Sequence, residues 1–272
     1  MPHRRPESLS PPSLAIPYSP GCPSAGACTT LKGFFAARRP SIAESLSAGA
    51  LTTSFDRFAP PQSRTIGKIW PGTFIVFALS TEELAQEYPG DSEIHHRICE
   101  YNPGRYLGLV TSSFVQSIED DGSTVEDVIV HFVSRDTPQP SVIASHFIPI
   151  FPVSNTIPTE TSALHTSILF PWIDCKQWTT CGVRLRVCRK NASALVFELC
   201  PDDFERFEDK AGKDYSGLEY LDATLDDEEK DTLASLLVAP FALPAEIWLD
   251  IRNHADIKEP PSFFGDVESL ER

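Results

Sequence analysis

The fold of this 272-residue chain is decided by four apolar runs, TFIVFAL (Thr73–Leu79), RYLGLVTSSFV (Arg105–Val115), DVIVHFVS (Asp127–Ser134) and VIASHFIPIF (Val142–Phe151). Each run is rich in Val, Ile, Phe and Leu and is bounded by Pro, Gly, Asp or Ser, which is typical of strands in a compact sheet. Between the second and third runs, Asp120-Asp-Gly-Ser123 is a hairpin-turn signal, so these two strands are predicted to pair antiparallel. The four strands together predict a small antiparallel barrel-like sheet over residues 65–152.

A polar insertion at residues 80–104 separates the first two runs. Thr81–Tyr88 carries acidic residues at its start, where the helix dipole favours negative charge, and so predicts a helix. Asp91–Tyr101 is predicted to add another helical turn, which Asn102-Pro-Gly104 ends. The insertion is therefore predicted to be helical.

A second hairpin is predicted in residues 153–272. Val183-Arg-Leu-Arg-Val187 alternates apolar and cationic residues, which indicates a strand with one buried and one solvated face. Asn191-Ala-Ser193 is predicted to turn the chain into a partner strand at Ala194–Cys200. The acidic pair at Asp202 fits the first turn of a helix.

Two further helices are predicted near the C-terminus. The first begins near Thr224 and ends at Pro240. The second has Pro244 in its first turn and presents an apolar stripe made of Leu243, Ile247, Trp248 and Ile251. The acidic helical segment packs either on the barrel-like domain or beside it.

The N-terminal segment has a different composition. Residues 1–64 contain ten Pro and ten Ser and few bulky apolar side chains before Phe34. Such a segment buries too little surface to offset its conformational entropy, so it is predicted to be a disordered tail. The predicted fold class is therefore α+β, mainly β, with a barrel-like sheet, a second hairpin, C-terminal helices and a long disordered tail.

The charge and the cysteines limit the partners. Residues 201–272 carry seven Lys or Arg against twenty Asp or Glu, so no nucleic acid is expected to bind this acidic third. No apolar run approaches the ~20 residues needed to span a bilayer, so no membrane association is expected. Seven cysteines without a CxxC pair favour reduced thiols in the cytoplasm or nucleus. The alternative is a metal site on four cysteines whose spacing matches no common zinc motif, namely Cys175, Cys181, Cys188 and Cys200.

The four strands resemble those of the Tudor and PWWP group of small Src-homology-3-like barrels. Gly72–Ala78 resembles the opening strand, Arg105–Val110 the second, Val128–Phe132 the third and Val142–Pro149 the closing strand. The likeness covers about 80 residues and implies a chromatin-reader type of barrel that binds a peptide. A methyl-lysine cage in such a barrel requires several aromatic faces around a cation.

The chain offers some of the residues for such a cage and departs at one position. The candidate aromatic residues are Trp70, Tyr101, Tyr106 and Phe132, although core packing explains Phe132 and Tyr106 better. Readers of this group commonly carry a tyrosine where this chain reads Val133-Ser-Arg-Asp136, and an arginine there opposes a cationic ligand. The predicted ligand-binding residues are Trp70, Tyr101, Tyr106 and Arg135.

A second likeness lies near the C-terminus. Leu243-Pro-Ala-Glu-Ile-Trp-Leu-Asp-Ile251 resembles the first helix of an F-box, a module that docks onto the adaptor subunit of cullin-type ubiquitin ligases. The resemblance implies partner binding through Leu243, Pro244, Ile247 and Trp248. The alternative is an amphipathic helix that packs on the chain's own domain.

No catalytic motif is found. The sequence has no G-x-S-x-G elbow, no H-E-x-x-H, no phosphate-binding glycine loop and no dinucleotide fingerprint, so no catalytic residue, metal or cofactor is predicted. The preferred function is a non-enzymatic intracellular binding or scaffold protein that holds a protein or peptide. The alternatives are an F-box-like ubiquitin-ligase adaptor and an enzyme that uses His131 or His146 with a nearby carboxylate or cysteine.

Overall fold

The computed structural model of the protein describes residues 69–118, 124–139, 141–154, 163–193, 195–222 and 242–271. The tail predicted at 1–64, the turn at 120–123 and the helix predicted from Thr224 lie outside the described residues. None of the helices within the described ranges is both long and apolar enough to cross a membrane.

Six strands and four α-helices make up the described part of the chain. They are β1 Phe74–Leu79, α1 Thr81–Gln86, α2 Glu93–Glu100, β2 Tyr106–Ile118, β3 Thr124–Ser134, β4 Phe147–Pro149, β5 Lys176–Asn191, α3 Pro201–Asp222, β6 Leu243–Trp248 and α4 Pro260–Glu271. Short 3-10 turns lie at Ser141–Ile143 and Ile251–Asn253. The fold class is α+β and mainly β, as predicted.

Five of the strands close into a barrel. Their order is β3-β2-β1-β6-β5, and β5 pairs back onto β3. All of these pairs are antiparallel except β5 with β6, which run parallel. The short β4 pairs with the first residues of β5. Strands from both segments that the sequence analysis distinguished, 65–152 and 153–272, thus share one sheet.

Aromatic side chains fill the barrel core. Phe77, Tyr106 and Phe132 are fully buried, and Phe263 of α4 inserts among them. The Phe263 ring centroid lies 5.8 Å from that of Phe77, 5.1 Å from Tyr106 and 5.4 Å from Phe132. Rings at these separations attract one another beyond their burial of apolar surface. Helix α4 is therefore part of the barrel core.

A second apolar cluster covers the outer face of the barrel. Phe74 of β1 packs edge-on against Phe170, with 5.0 Å between the ring centroids, and Phe197 and Phe207 are buried in the same cluster. All six residues of β1 are buried as a result. Burial on both faces explains why this strand is a continuous apolar run rather than an alternating one.

The first three predicted strands are confirmed as β1, β2 and β3, and β2 pairs antiparallel with β3. The two helices predicted in the insertion are also confirmed. Ser80 and Ser92 cap α1 and α2 by accepting hydrogen bonds from backbone N–H groups at 3.4 and 3.1 Å. The helix that begins at Pro201 has the Asp202 pair in its first turn, as expected.

Three predicted elements are wrong. Most of Val142–Phe151 is not a strand, because a 3-10 turn precedes the three residues of β4. The described part of the strand predicted at Ala194–Cys200, residues 195–200, does not pair with β5, since Glu198 and Leu199 make isolated bridges to Thr73 and Thr166 instead. The predicted second hairpin is therefore replaced by pairing of β5 with β3 and β6.

The third wrong prediction is the helix that was expected to begin at Pro244. Residues Leu243–Trp248 form β6, which lies between β1 and β5. Leu243, Ala245 and Ile247 point into the barrel core at strand spacing. A short apolar segment fits both periodicities, and here the open edges of β1 and β5 select the strand.

Candidate functional site

The two tyrosines predicted to bind a ligand are joined to helix α4. The Asp266 carboxylate accepts hydrogen bonds from the Tyr101 hydroxyl at 2.8 Å, the Gly104 N–H at 2.6 Å and the Tyr106 hydroxyl at 2.5 Å. Burial, followed by the bond to Asp266, raises the pKa of the Tyr106 hydroxyl, so this group stays protonated and donates. Tyr106 and Phe132 have no exposed ring face in this structure. Their core packing is confirmed.

The other two predicted ligand-binding residues lie elsewhere. Trp70 is half-buried just before β1, and its carbonyl accepts the Thr73 N–H at 3.2 Å. Arg135 is exposed immediately after β3, and its carbonyl accepts a hydrogen bond from the Lys176 ammonium at 2.5 Å. Of the four predicted residues, only Arg135 lines the cleft described below.

The residues of the F-box-like motif lie on β6. Leu243, Pro244 and Ile247 are buried in the sheet. Trp248 is half-buried, with the Arg105 guanidinium 5.1 Å from its ring centroid and the His254 ring centroid 5.3 Å away. None of these four side chains is presented on a helix, so the geometry required for docking in the F-box manner is missing here.

The histidines of the enzyme alternative are buried. His131 is held between the Thr111 hydroxyl at 3.1 Å and the Tyr215 hydroxyl at 3.0 Å. Burial lowers the pKa of His131 to about 4, so its imidazole is neutral at physiological pH. His146 contacts the Thr180 hydroxyl at 3.3 Å, and burial lowers its pKa as well. Both side chains are buried in the fold, with 6% and 8% of their surface exposed.

A cleft of about 100 Å³ lies where three distant segments meet: the end of β3, the residues that precede β5, and the segment between β6 and α4. Residues on its walls include Val133, Arg135, Trp172, Cys175, His254 and Glu259. The segment after β6 reaches this position because it runs beside the start of β2, where the Lys258 N–H donates to the Arg105 carbonyl at 2.8 Å. The cleft is therefore a product of barrel closure.

The titratable groups of the cleft are mostly neutral or already bonded. Burial raises the pKa of the Cys175 thiol to about 11, so it is a thiol and not a thiolate at neutral pH. Burial also lowers the pKa of His254, and the nearby Arg105 acts in the same direction. Glu259 accepts a hydrogen bond from the Ser134 hydroxyl, which itself accepts the Asp136 N–H at 2.8 Å. At neutral pH the cleft therefore holds a protonated cysteine thiol and a neutral histidine.

An apolar loop, Ile168–Ile173, adjoins the cleft through Trp172. Its anchor is Phe170, which is buried against Phe74 and lies 5.7 Å from Trp172 between ring centroids. Ile168, Leu169 and Ile173 are instead 38%, 65% and 55% exposed. Three of the six residues of this loop are thus large apolar side chains exposed to solvent, and Trp172 is the one that lines the cleft.

Sequence reasoning identified Arg135 but not the rest of this site. Trp172, His254 and Lys258 carry no shared motif and converge only in three dimensions. One signal was present, since Ile-Leu-Phe-Pro-Trp-Ile at 168–173 is a strongly apolar run that Pro171 keeps out of a regular strand. No group of three or more metal-ligating side chains is found within the described residues, which include the four cysteines of the metal alternative.

Comparison with profiles of known protein families, with curated proteins and with solved structures finds no match to this chain. The likeness to Tudor and PWWP barrels therefore depends on the strand sequences alone. The structure defines the class as a closed five-stranded barrel with an additional strand and four described helices.

Proposed function

We propose that this protein is a non-enzymatic binding or scaffold protein that holds a segment of a partner protein in the cleft and on the apolar loop. The observation that carries the proposal is a small cleft lined by Trp172, which belongs to a loop that also exposes Ile168, Leu169 and Ile173. A volume of about 100 Å³ is well below the roughly 300–1,000 Å³ of small-molecule and cofactor pockets. It suits a single anchoring side chain, with the apolar loop binding the neighbouring residues.

The chemistry of the cleft favours binding of an unmodified peptide over binding of a methylated lysine. Arg135 occupies the position at which a reader of this type places an aromatic residue, and its positive charge repels a cationic ligand. Of the aromatic cage candidates, Tyr106 and Phe132 are enclosed in the core. An intracellular location, in the cytoplasm or nucleus, is part of this proposal and is supported by the five free cysteines among the described residues.

Selection from a phage-displayed library of random heptapeptides on the immobilised full chain tests the proposal. We expect a family of related peptides whose affinity falls by about tenfold or more in Leu169→Ser, the effect of losing one apolar anchor. Val115→Ser is the matched control, because Val115 is 54% exposed on β2, where it pairs with Glu126 at the opposite end of the hairpin from the cleft. Selected peptides that bind Leu169→Ser and Val115→Ser equally well contradict the proposal.

A further inference from the structure

We infer that the partner segment carries an Asp or Glu next to a bulky apolar residue, so that its carboxylate meets Arg135 while its apolar side chain enters the cleft. This inference rests on the proposed function and specifies the ligand of the same site. The two requirements come from different residues of the cleft.

The acidic requirement follows from the charges around the cleft. Arg135 and Lys258 are both exposed cations on its walls. Among the described residues, no carboxylate lies within ion-pair distance of Arg135. Lys258 has one distant partner, the Asp266 carboxylate at 3.9 Å. The Arg135 side chain hydrogen-bonds to the Cys175 thiol, and its guanidinium carries further N–H donors with which it can bind a carboxylate in bidentate geometry.

Two carboxylates of the chain near the cleft have hydrogen-bond donors of their own. Glu259 accepts the Ser134 hydroxyl. Asp174 accepts the Ser154 N–H at 2.8 Å and the Ser154 hydroxyl at 2.7 Å. After these two bonds from Ser154, the charge of Arg135 also helps to lower the pKa of Asp174, but neither acid forms an ion pair with the guanidinium, which can therefore take a carboxylate from another molecule.

The apolar requirement follows from the walls of the cleft. Val133 and Leu107 are buried at its base, and Ile257 and Trp172 are half-buried at its sides. This lining releases water when an aliphatic or aromatic side chain enters. Arg135 and Trp172 both belong to the lining of this small cleft, so the carboxylate and the apolar side chain are expected one or two positions apart in the partner.

The chain's own net charge favours a short acidic motif over a polyanion as the ligand of this site. The net charge of −15 repels extended phosphate backbones and anionic membranes at long range. A single carboxylate instead pairs with Arg135 at contact distance, where the local cation outweighs the screened field of distant acids. A partner protein with a local acidic-apolar motif is therefore favoured over nucleic acid or lipid.

The test uses the same heptapeptide library on the full chain and on charge variants. On the wild type we expect enrichment of Asp or Glu within two positions of Leu, Ile, Phe or Trp. Arg135→Glu is expected to lower the affinity of these peptides by about tenfold, the cost of a charge-assisted hydrogen bond. Selection on Arg135→Glu is expected to enrich Lys or Arg instead. Lys213→Glu on α3, an exposed cation that does not line the cleft, changes the net charge equally and is expected to leave affinity unchanged.

The outcomes separate this inference from the proposed function. Peptides that depend on Leu169 but show no acidic enrichment, or bind Arg135→Glu as well as wild type, overturn the acidic ligand and leave the binding function standing. A library that yields no Leu169-dependent peptide overturns both. If a synthetic peptide of residues 223–241 competes with the selected peptides as well as they compete with one another, this chain's own acidic segment is the occupant and the assignment to a partner is overturned. If light scattering finds a dimer that Leu169→Ser dissociates, the occupant is a second copy of this chain and the assignment to a partner is likewise overturned.

Discussion

Removing the Asp266 side chain should strongly destabilise the barrel. In Asp266→Ala the Gly104 N–H and the Tyr106 hydroxyl, both buried, lose their acceptor, and the half-buried Tyr101 loses one as well. A buried donor left unsatisfied costs about 1–3 kcal/mol, so the two buried donors together predict a loss of about 4 kcal/mol in the free energy of unfolding. Asp266→Asn keeps one acceptor oxygen and should lose less.

Urea unfolding followed by far-ultraviolet circular dichroism measures this loss at constant m-value. The matched control is Asp256→Ala. That carboxylate is 72% exposed and pairs with Arg105 at 3.4 Å, so its removal should cost less than about 1 kcal/mol. A loss in Asp266→Ala no larger than in Asp256→Ala refutes the assignment of Asp266 as the residue that fixes α4 on the barrel. Tyr106→Phe combined with Asp266→Asn in a double-mutant cycle gives the coupling of the two side chains.

Three further predictions concern packing, acid stability and thiol reactivity. Gly108→Ala places a Cβ 2.9 Å from the His131 carbonyl oxygen and should lower the free energy of unfolding by about 1–3 kcal/mol. The control Gly212→Ala, on the open face of α3, should raise it by up to about 1 kcal/mol. If the two variants unfold at the same urea concentration, the close approach of β2 to β3 is contradicted. Because burial lowers the folded pKa of His131 to about 4, the unfolded chain binds its proton first as pH falls below about 6.5. The free energy of unfolding should then drop by about 3 kcal/mol towards pH 4. In His131→Gln the urea midpoint should fall less steeply with pH than in the wild type, and an equally steep fall contradicts this reasoning. Iodoacetamide at pH 7.5 should modify exposed Cys99 well before Cys175, whose pKa is about 11; peptide mapping that finds Cys175 modified first shows that the cleft thiol is accessible and ionised.

The local parts of the fold were predictable from sequence, and the closing contacts were not. β1, β2 and β3 follow from apolar runs bounded by turn residues, and α1 and α2 from their acidic first turns and serine caps. β6 was predicted as a helix because Leu243, Ile247 and Ile251 fit a helical stripe. What decides its structure is pairing with β1 and β5, which are remote in sequence. No local periodicity records such a contact.

The candidate site shows the same limit. Arg135 was identified because it directly follows a predicted strand, in the stretch where the barrels that the sequence resembles commonly carry a tyrosine. Trp172, His254 and Lys258 come from segments more than 30 residues away from it, for which the sequence predicted no element. Their convergence depends on barrel closure, and barrel closure depends on the pairing of β6, which the sequence did not reveal.

The position of β6 in the barrel has a consequence for the order of events during synthesis. β6 begins about 170 residues after β1 starts, yet it fills the gap between β1 and β5. Until the ribosome has delivered residues 243–248, both neighbouring strands of the nascent chain present unpaired backbone N–H and C=O groups. Open strand edges of this kind recruit other chains into aggregates. Yield in cells should therefore depend on chaperones that bind the growing chain, and translation that stops before Leu243 should give insoluble product.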